Sequence, residues 1–255
     1  MMKFVHRHVA TFMLLVVTLL FSAGLVNAVE LRIIAPNALK ESITEIASRY
    51  ERATGERVVL SWAGTEAITK HISDGNIFDV VVNASQNIDK LEKERKLADG
   101  SRVDFAKSAI GVAVRVGHPR SDISSIDALK QLLLQAKSIA ISSGTSGRYL
   151  AELFQRLGIA EQIKDRVIQP PSGAQIGEML ARGEVDLGFQ QISELIHVKG
   201  IVYLGPLPAE IQSITVYSAG VHSAASTPTA AMTFLKMLTA PDFGAFIRKT
   251  GMEPA

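Results

Sequence analysis

The fold is decided by residues 31–82, which read LRIIAPNALKESITEIASRYERATGERVVLSWAGTEAITKHISDGNIFDVVV. Three short apolar runs in this stretch, Leu31–Ala35, Arg57–Ser61 and Phe78–Val82, have the length and the β-branched content typical of strands. The two segments between them carry apolar residues at helical spacing on one face: Ile43, Ile46, Ala47 and Tyr50 in the first, and Ala67, Ile68 and Ile72 in the second. This repeated strand–helix–strand order predicts a mostly parallel sheet with helices on both faces.

The same alternation continues through the rest of the chain. Further strands are predicted at 109–116, 138–142, 185–190, 201–204 and 214–220, and helices near 88–95, 125–134, 146–157, 174–181, 228–238 and 242–249. No internal repeat or low-complexity linker interrupts this order, so we expect two compact α/β lobes joined by strands rather than by a tether. The long strands at 109–116 and 214–220 are the expected crossings. They place lobe 1 at residues 29–108 and 216–255, and lobe 2 at residues 109–215.

The first 28 residues have the pattern of an export signal. A basic start with Lys3 and Arg7 precedes the uncharged run Ala10–Leu20, and Val26-Asn27-Ala28 supplies the small residues that a signal peptidase reads. A retained membrane anchor is the alternative, but it needs about 18 to 20 strongly apolar residues. We therefore expect cleavage after Ala28 and a periplasmic protein.

The composition excludes several classes of function. The 255 residues include 27 Lys plus Arg and 25 Asp plus Glu, a formal net charge of +2 that provides no basic field for nucleic acid. The absence of cysteine excludes disulfides, zinc–thiolate sites and cysteine nucleophiles. The six histidines show no ligand-like spacing outside the first eight residues, so neither a protein-bound metal nor a cofactor is expected. No phosphate-binding or dinucleotide-binding glycine motif is present, and the run 144–148 departs from a nucleophile elbow at Arg148, so an enzyme is not expected.

Four strand-to-helix turns carry the candidate ligand-binding residues. In open α/β sheets, ligands bind beyond the carboxyl ends of the strands, next to helix N-termini. The turns hold small, hydroxyl-bearing or amide-bearing residues: Asn37 and Ala38 in the first, Thr65 in the second, Ser143, Thr145 and Ser146 in the third, and Ser172 and Gly173 in the fourth. Free backbone N–H groups and the helix dipole favour an anion there, although the same residue types are also the preferred N-caps. Residues 142–147 contain four hydroxyls and two glycines, more than one cap needs, and therefore predict an anion cradle.

Arg148 lies in the first turn of the helix that follows this cradle. A positive charge is unfavourable at a helix N-terminus unless a negative group faces it. That group is either a bound anion or an acidic side chain such as Glu152 or Asp186, and the sequence leaves both readings open.

The order and spacing of the elements resemble the periplasmic substrate-binding proteins of ABC transporters, most closely the molybdate-binding branch. The resemblance covers nearly all of residues 30–255 and is carried by Ile33-Ile34-Ala35, Phe78–Val82, Gly183–Gly188 and Phe246–Met252. It implies a two-lobed type II periplasmic-binding-protein fold, in which each lobe is a mixed, mostly parallel sheet flanked by helices. It further implies that the lobes close on an oxyanion held by hydroxyls and backbone N–H groups, and that a monomer delivers this anion to an inner-membrane ABC permease.

The resemblance also implies a set of ligand contacts. These are Asn37, Ala38, Thr65, Ser146, Gly173 and Gln191, with Ser143, Thr145, Arg148 and Ser172 as secondary candidates. Ala38 stands where the family has a serine, and Gln191 stands where it has a tyrosine. The implied function is non-catalytic capture of a small oxyanion for import, with molybdate or tungstate first. A phosphate-like anion, a small carboxylate paired with Arg148, or an exported hydrolase are the alternatives.

Overall fold

The structure, a computed structural model, describes residues 30–119 and 121–255. The predicted export signal, residues 1–28, lies outside the described residues and stays a prediction. Within the described part of the chain, every helix is too short or too polar to span a bilayer.

Strands and helices alternate through both halves of the described chain. The strands are β1 (Glu30–Pro36), β2 (Arg57–Ala63), β3 (Val80–Ala84), β4 (Val103–Arg115), β5 (Ile139–Ile141), β6 (Val167–Ile168), β7 (Leu187–Gln191), β8 (Ile201–Pro206), β9 (Ile214–Val221) and β10 (Glu253–Pro254). The α-helices are α1 (Lys40–Thr54), α2 (Thr65–Ser73), α3 (Ser85–Lys93), α4 (Ile126–Gln135), α5 (Thr145–Arg156), α6 (Ala160–Ile163), α7 (Ile176–Ala181), α8 (Ile192–Leu195), α9 (Pro228–Leu238) and α10 (Pro241–Lys249). Short 3-10 helices occupy Asn37–Leu39, Lys164–Arg166 and Ala209–Ile211.

The predicted two-lobed α/β architecture is confirmed. Lobe 1 has the strand order β2-β1-β3-β9-β4, in which β1 pairs in parallel with both β2 and β3. Lobe 2 has the order β4-β7-β5-β6, with β8 on the other edge of β4. Strands β4 and β9 supply the antiparallel pairings that make each sheet mixed.

Each sheet is covered on both faces, which explains its nearly continuous apolar strands. Successive residues of a strand point to opposite faces. Ile33 therefore packs into the cluster of α1 and α9, whereas Ile34 packs with α2 and α3. In lobe 2, Val112 and Ala113 divide in the same way between two clusters. Small residues allow close helix packing there, because a Cβ on Gly188 would lie 2.5 Å from the Ile176 side chain.

Strand β4 is the continuous connection between the lobes. It begins at Val103 rather than at the predicted Ala109, because residues 103–109 form a further antiparallel ladder with β9. Pairing then changes to β7 at Ile110. The predicted second crossing strand, β9, pairs within the described residues only with β3 and β4 on the lobe 1 side, and the chain returns through residues 207–213 instead. The side chain of Gln212 holds that return segment, because its Oε1 accepts from the Ile110 N–H at 2.9 Å and its Nε2 donates to the Ile110 carbonyl at 3.0 Å. We propose lobe boundaries at 109/110 and within 207–213, close to the expected 108/109 and 215/216.

Candidate functional site

The carboxyl-end turns of both lobes meet around a cavity of about 60 Å³, which we call the cage. The cage is lined by Pro36, Asn37, Ala38, Gly64, Thr65, Ser142, Ser143, Gly144, Thr145, Ser146, Pro171, Ser172, Gly173, Gln191, Glu194 and Tyr217. Nine of the ten residues singled out from the sequence are therefore brought together, and Arg148 is the exception. The grouping follows from topology, since these turns follow strands at the same edge of each sheet.

The N-cap residues of the two long helices that start at the cage provide no side-chain cap. The N-cap residues of α2 and α5 are Gly64 and Gly144, and neither helix start has a side-chain capping bond from its N-cap. Away from the cage, Ser125 caps α4 in the ordinary way, with its hydroxyl accepting from the Ala128 N–H at 3.1 Å. In the first turn of α5, the hydroxyl of Ser142 takes one donor, the Gly147 N–H, at 3.2 Å. The other first-turn N–H groups are available to an anion, which the helix dipole favours at this position.

Both glycine N-caps also allow the lobes to approach each other closely. A Cβ on Gly64 would lie 2.1 Å from Ser172 Oγ and 2.7 Å from the backbone nitrogen of Gly173, on the opposite lobe. A Cβ on Gly144 would lie 2.7 Å from Thr65 Oγ1. The lobes therefore lie closed over the cage at a spacing that no side chain larger than hydrogen permits at position 64.

The polar contacts that bridge the closed lobes include the following three. Nδ2 of Asn37 donates to the Gly173 carbonyl at 2.9 Å, and Nε2 of Gln86 donates to Thr145 Oγ1 at 3.2 Å. The third contact is an ion pair.

Arg148 forms that ion pair, and its partner lies on the other lobe. Its Nη1 is 2.5 Å from Oε1 of Glu66, which replaces the expected partners Glu152 and Asp186. Asp186 instead pairs with Arg115, with 3.7 Å between Asp186 Oδ1 and Arg115 Nε. The Arg148 side chain is 47% exposed and the Glu66 side chain 37% exposed, so the pair contributes about 0 to 1 kcal/mol to closure. Arg148 thus bridges the lobes beside the cage rather than lining it.

The cage presents polar atoms that the protein does not pair. Thr65 Oγ1, Ser143 Oγ and Gln191 Oε1 are buried and make no hydrogen bond to any group within residues 30–119 and 121–255. The other end of the Gln191 amide donates to Thr215 Oγ1 at 2.9 Å. Since a hydroxyl can donate or accept, turning the amide over would still leave one polar atom facing the cage. Each unpaired buried group costs about 1 to 3 kcal/mol, a cost that a bound polar ligand removes.

The lining of the cage contains no Lys, Arg or His among the described residues, and its titratable side chains are Glu194 and Tyr217. Tyr217 is fully buried on β9. Burial, with Glu194 nearby, holds the pKa of its hydroxyl well above the ordinary value. Tyr217 therefore stays neutral.

Glu194, like Tyr217, is a site residue that sequence reasoning missed. It is the third residue of α8, directly after β7, and most of its side chain is shielded from solvent. Its Oε1 accepts a hydrogen bond from Gln190 Nε2 at 2.8 Å. Burial raises the pKa of Glu194 to about 8, against hydrogen bonds from Gln190, the Gln191 backbone and Gln175, which lower it. The raised pKa favours the neutral acid, which can donate a hydrogen bond to an anion.

A wide groove adjoins the cage on its outer side, and we call it the outer groove. It has a volume of about 650 Å³ and shares Asn37, Ala38 and Glu194 with the cage. Its other lining residues are Lys40, Glu41, Thr44, Glu45, Ser48, Gln175, Ser193, His197, Val198, Phe246 and Thr250. Glu194 therefore stands at the boundary of two compartments.

No cluster of three or more His, Cys, Asp or Glu side chains suited to a metal ion occurs in the part of the chain that the structure describes. The chemistry available in the cage is therefore that of hydroxyls, amides, backbone N–H groups and one carboxyl group.

Comparison with known proteins agrees with this architecture. A relative from a Pseudomonas species, named aconitate isomerase, is 36% identical over 230 residues, which cover 88% of this chain and 87% of that protein. The molybdate-binding protein ModA of Azotobacter vinelandii is 27% identical over 172 residues, 66% of this chain and 67% of its own length. The solved structure of the periplasmic molybdate-binding protein of Azotobacter vinelandii superposes with a TM-score of 0.74 at 20% identity, over 87% of this chain and 98% of that one.

A family model described as bacterial extracellular solute-binding protein matches residues 31–253, which include both lobes and every turn of the cage. The relatives named above extend over the same two lobes. This chain belongs to the bacterial extracellular solute-binding protein family.

Proposed function

We propose that the protein captures a small anion between its two lobes and delivers it to an inner-membrane ABC permease for import. The observation that carries this proposal is the set of unpaired buried polar atoms around the cage, Thr65 Oγ1, Ser143 Oγ and Gln191 Oε1. The uncapped starts of α2 and α5 add backbone donors that favour negative charge. The export signal at residues 1–28, a periplasmic location and a monomeric state belong to the same proposal.

A tetrahedral oxyanion such as molybdate or tungstate is the first candidate ligand. The cage is small, with a volume of about 60 Å³, which suits a compact anion. A central atom with four oxygens is a ligand of that size. Relatives named as molybdate-binding proteins support this candidate.

An organic carboxylate is the second candidate, favoured by the composition of the cage. Ala38 provides no hydroxyl where the molybdate branch has a serine, so the cage departs from the oxyanion contacts that the resemblance implies. The relative that is 36% identical is named for an enzyme acting on an unsaturated tricarboxylic acid. Isomerisation of such an acid is therefore a second candidate function, beside the non-catalytic capture expected from the sequence.

A ligand screen by thermal shift tests the proposal. The purified protein is heated with molybdate, tungstate, sulfate, phosphate, citrate, cis-aconitate and trans-aconitate, each at several concentrations. A ligand at 100 times its Kd stabilises the folded state by about 2.7 kcal/mol, which is a readily measured rise in Tm. Capture of a small anion is refuted when none of these anions raises the Tm.

A further inference from the structure

We propose that Glu194 is an acid–base residue that moves a proton within a bound unsaturated polycarboxylic acid, one carboxylate of which occupies the cage while the rest extends into the outer groove. This inference rests on the proposed capture of an anion and names its ligand class and a chemical step. It is carried by the position of Glu194 between two compartments of very different size.

The two volumes indicate a ligand larger than the cage. The cage measures about 60 Å³ and the outer groove about 650 Å³. Asn37, Ala38 and Glu194 belong to the lining of both. A molecule that places one carboxylate in the cage and extends into the groove therefore passes the carboxyl group of Glu194. Ala38 removes side-chain bulk at the same boundary.

The outer groove also offers the cations that the cage lacks. Lys40, the first residue of α1, lines the groove and makes no ion pair within the described residues. His197 lies on the opposite wall, with its Nε2 3.5 Å from Oε2 of Glu41. Each can pair with a further carboxylate of the ligand, His197 in its protonated form.

The carboxyl group of Glu194 is held in a fixed orientation. Gln190 donates to it through Nε2, and Oε1 of the same amide accepts from the Gly177 N–H at 3.2 Å. Since a backbone N–H can only donate, the amide cannot turn over, and its NH₂ group must face Glu194. A positioned acid–base group of this kind is what proton transfer requires.

The surroundings of Glu194 suit a base that works near neutral pH. Tyr217 faces it from β9 as a neutral phenol. The charged groups in the groove are Lys40, Glu41 and Glu45, all from α1. His197 also lines the groove and lies three residues after Glu194 in the chain. Burial is the largest influence and raises the pKa of Glu194 to about 8, which makes the ionised form a stronger base than an ordinary carboxylate.

The step is balanced without an oxidant, a metal or a cofactor. The ionised carboxylate of Glu194 removes a proton from the CH₂ group next to the ligand's C=C bond, and the C–H electrons delocalise through the C=C bond onto a carboxylate. The uncapped N–H groups at the starts of α2 and α5 and the Thr65 hydroxyl stabilise that added charge in the cage. The neutral acid then returns the proton to the other end of the allylic unit, so that the double bond moves and no atom is gained or lost.

Proton exchange in D₂O tests the inference on the intact protein. Wild type and Glu194→Gln are incubated with cis-aconitate, and deuterium incorporation and isomer formation are followed by NMR, while calorimetry measures the Kd. The neutral amide resembles the protonated acid, so we expect Glu194→Gln to keep the Kd within about threefold at pH 7. Loss of the acid–base group should lower the exchange rate by about 10²- to 10⁴-fold. The exposed Glu178→Gln, on α7, is the matched control and should exchange like wild type.

The outcomes separate this inference from the proposed function. Binding of cis-aconitate by the wild type with neither isomer formation nor deuterium exchange overturns the acid–base role and leaves anion capture standing. Failure to bind any anion of the screen refutes both. The wild-type exchange rate should rise with pH up to about pH 8, as Glu194 ionises. If Glu194→Gln lowers the Tm strongly, Glu194→Asp supplies the test, because it keeps a carboxyl group and should restore part of the rate and the pH profile. Equal exchange by wild type and Glu194→Gln contradicts the inference.

Discussion

Replacing Gly64 with alanine should block closure of the lobes without disturbing the fold of either lobe. Gly64 has φ −77° and ψ 157°, an extended conformation that any residue adopts, so the added methyl group introduces no backbone strain. In the closed structure that methyl group would lie 2.1 Å from Ser172 Oγ and 2.7 Å from the Gly173 backbone nitrogen. The serine hydroxyl can rotate away, but the backbone nitrogen cannot.

Overpacking of this kind costs about 1 to 3 kcal/mol, and here it destabilises only the closed state. That cost corresponds to about 5- to 150-fold weaker ligand binding. Calorimetric titration of wild type and Gly64→Ala with the best anion from the screen measures it. Gly244→Ala, in helix α10 away from the cage and with its nearest contact 3.3 Å away on the Pro254 side chain, is the control and should bind normally. Unchanged affinity in Gly64→Ala would refute the closed arrangement of the turns.

Three further changes have defined outcomes. Arg148→Ala removes a half-exposed ion pair with Glu66 and should weaken anion binding by less than about 1 kcal/mol in a titration; a larger loss would place the guanidinium on the ligand. The affinity of the wild type for a dianion should fall as the pH rises through about 8, because Glu194 gains a negative charge beside the cage, and Glu194→Gln should not show that fall. The pKa of Glu194 is higher in the folded chain than its ordinary value of 4.5, so this group lowers the stability of the wild type as the pH rises from 4.5 to 8. The Tm of Glu194→Gln relative to that of the wild type should therefore rise over the same interval. A constant difference in Tm would refute the raised pKa.

The sequence located the cage because its turns follow a simple rule. Thr65 and Ser146 lie in the first turns of α2 and α5, Gly173 lies in the loop before α7, and the carboxyl ends of parallel strands meet at one edge of a sheet. Strand and helix periodicity was therefore enough to bring residues of distant turns together. The interpretation of these turns as ordinary caps is not supported at α2 and α5, whose N-caps are glycines.

Glu194 and Tyr217 were not predicted as site residues because no pattern in the neighbouring sequence marks either of them. Glu194 lies in a helix of four residues, too short for a hydrophobic period to form. Tyr217 lies within an apolar strand, and its access to the cage depends on β9 running between β3 and β4. The ion pair of Arg148 with Glu66 depends likewise on closure of the two lobes, which no local pattern encodes.

The measurement that tests the central claim most directly is calorimetric titration of Thr65→Val beside the wild type with the best anion of the screen. Thr65 Oγ1 is buried and makes no hydrogen bond within residues 30–119 and 121–255, so we expect its removal to affect ligand binding rather than the fold. We predict one anion bound per chain, affinity lower in the variant by about 1 to 3 kcal/mol, and a Tm without ligand that is unchanged or higher. Equal affinities, or a loss of stability without a loss of binding, would contradict the assignment of the cage as the anion site.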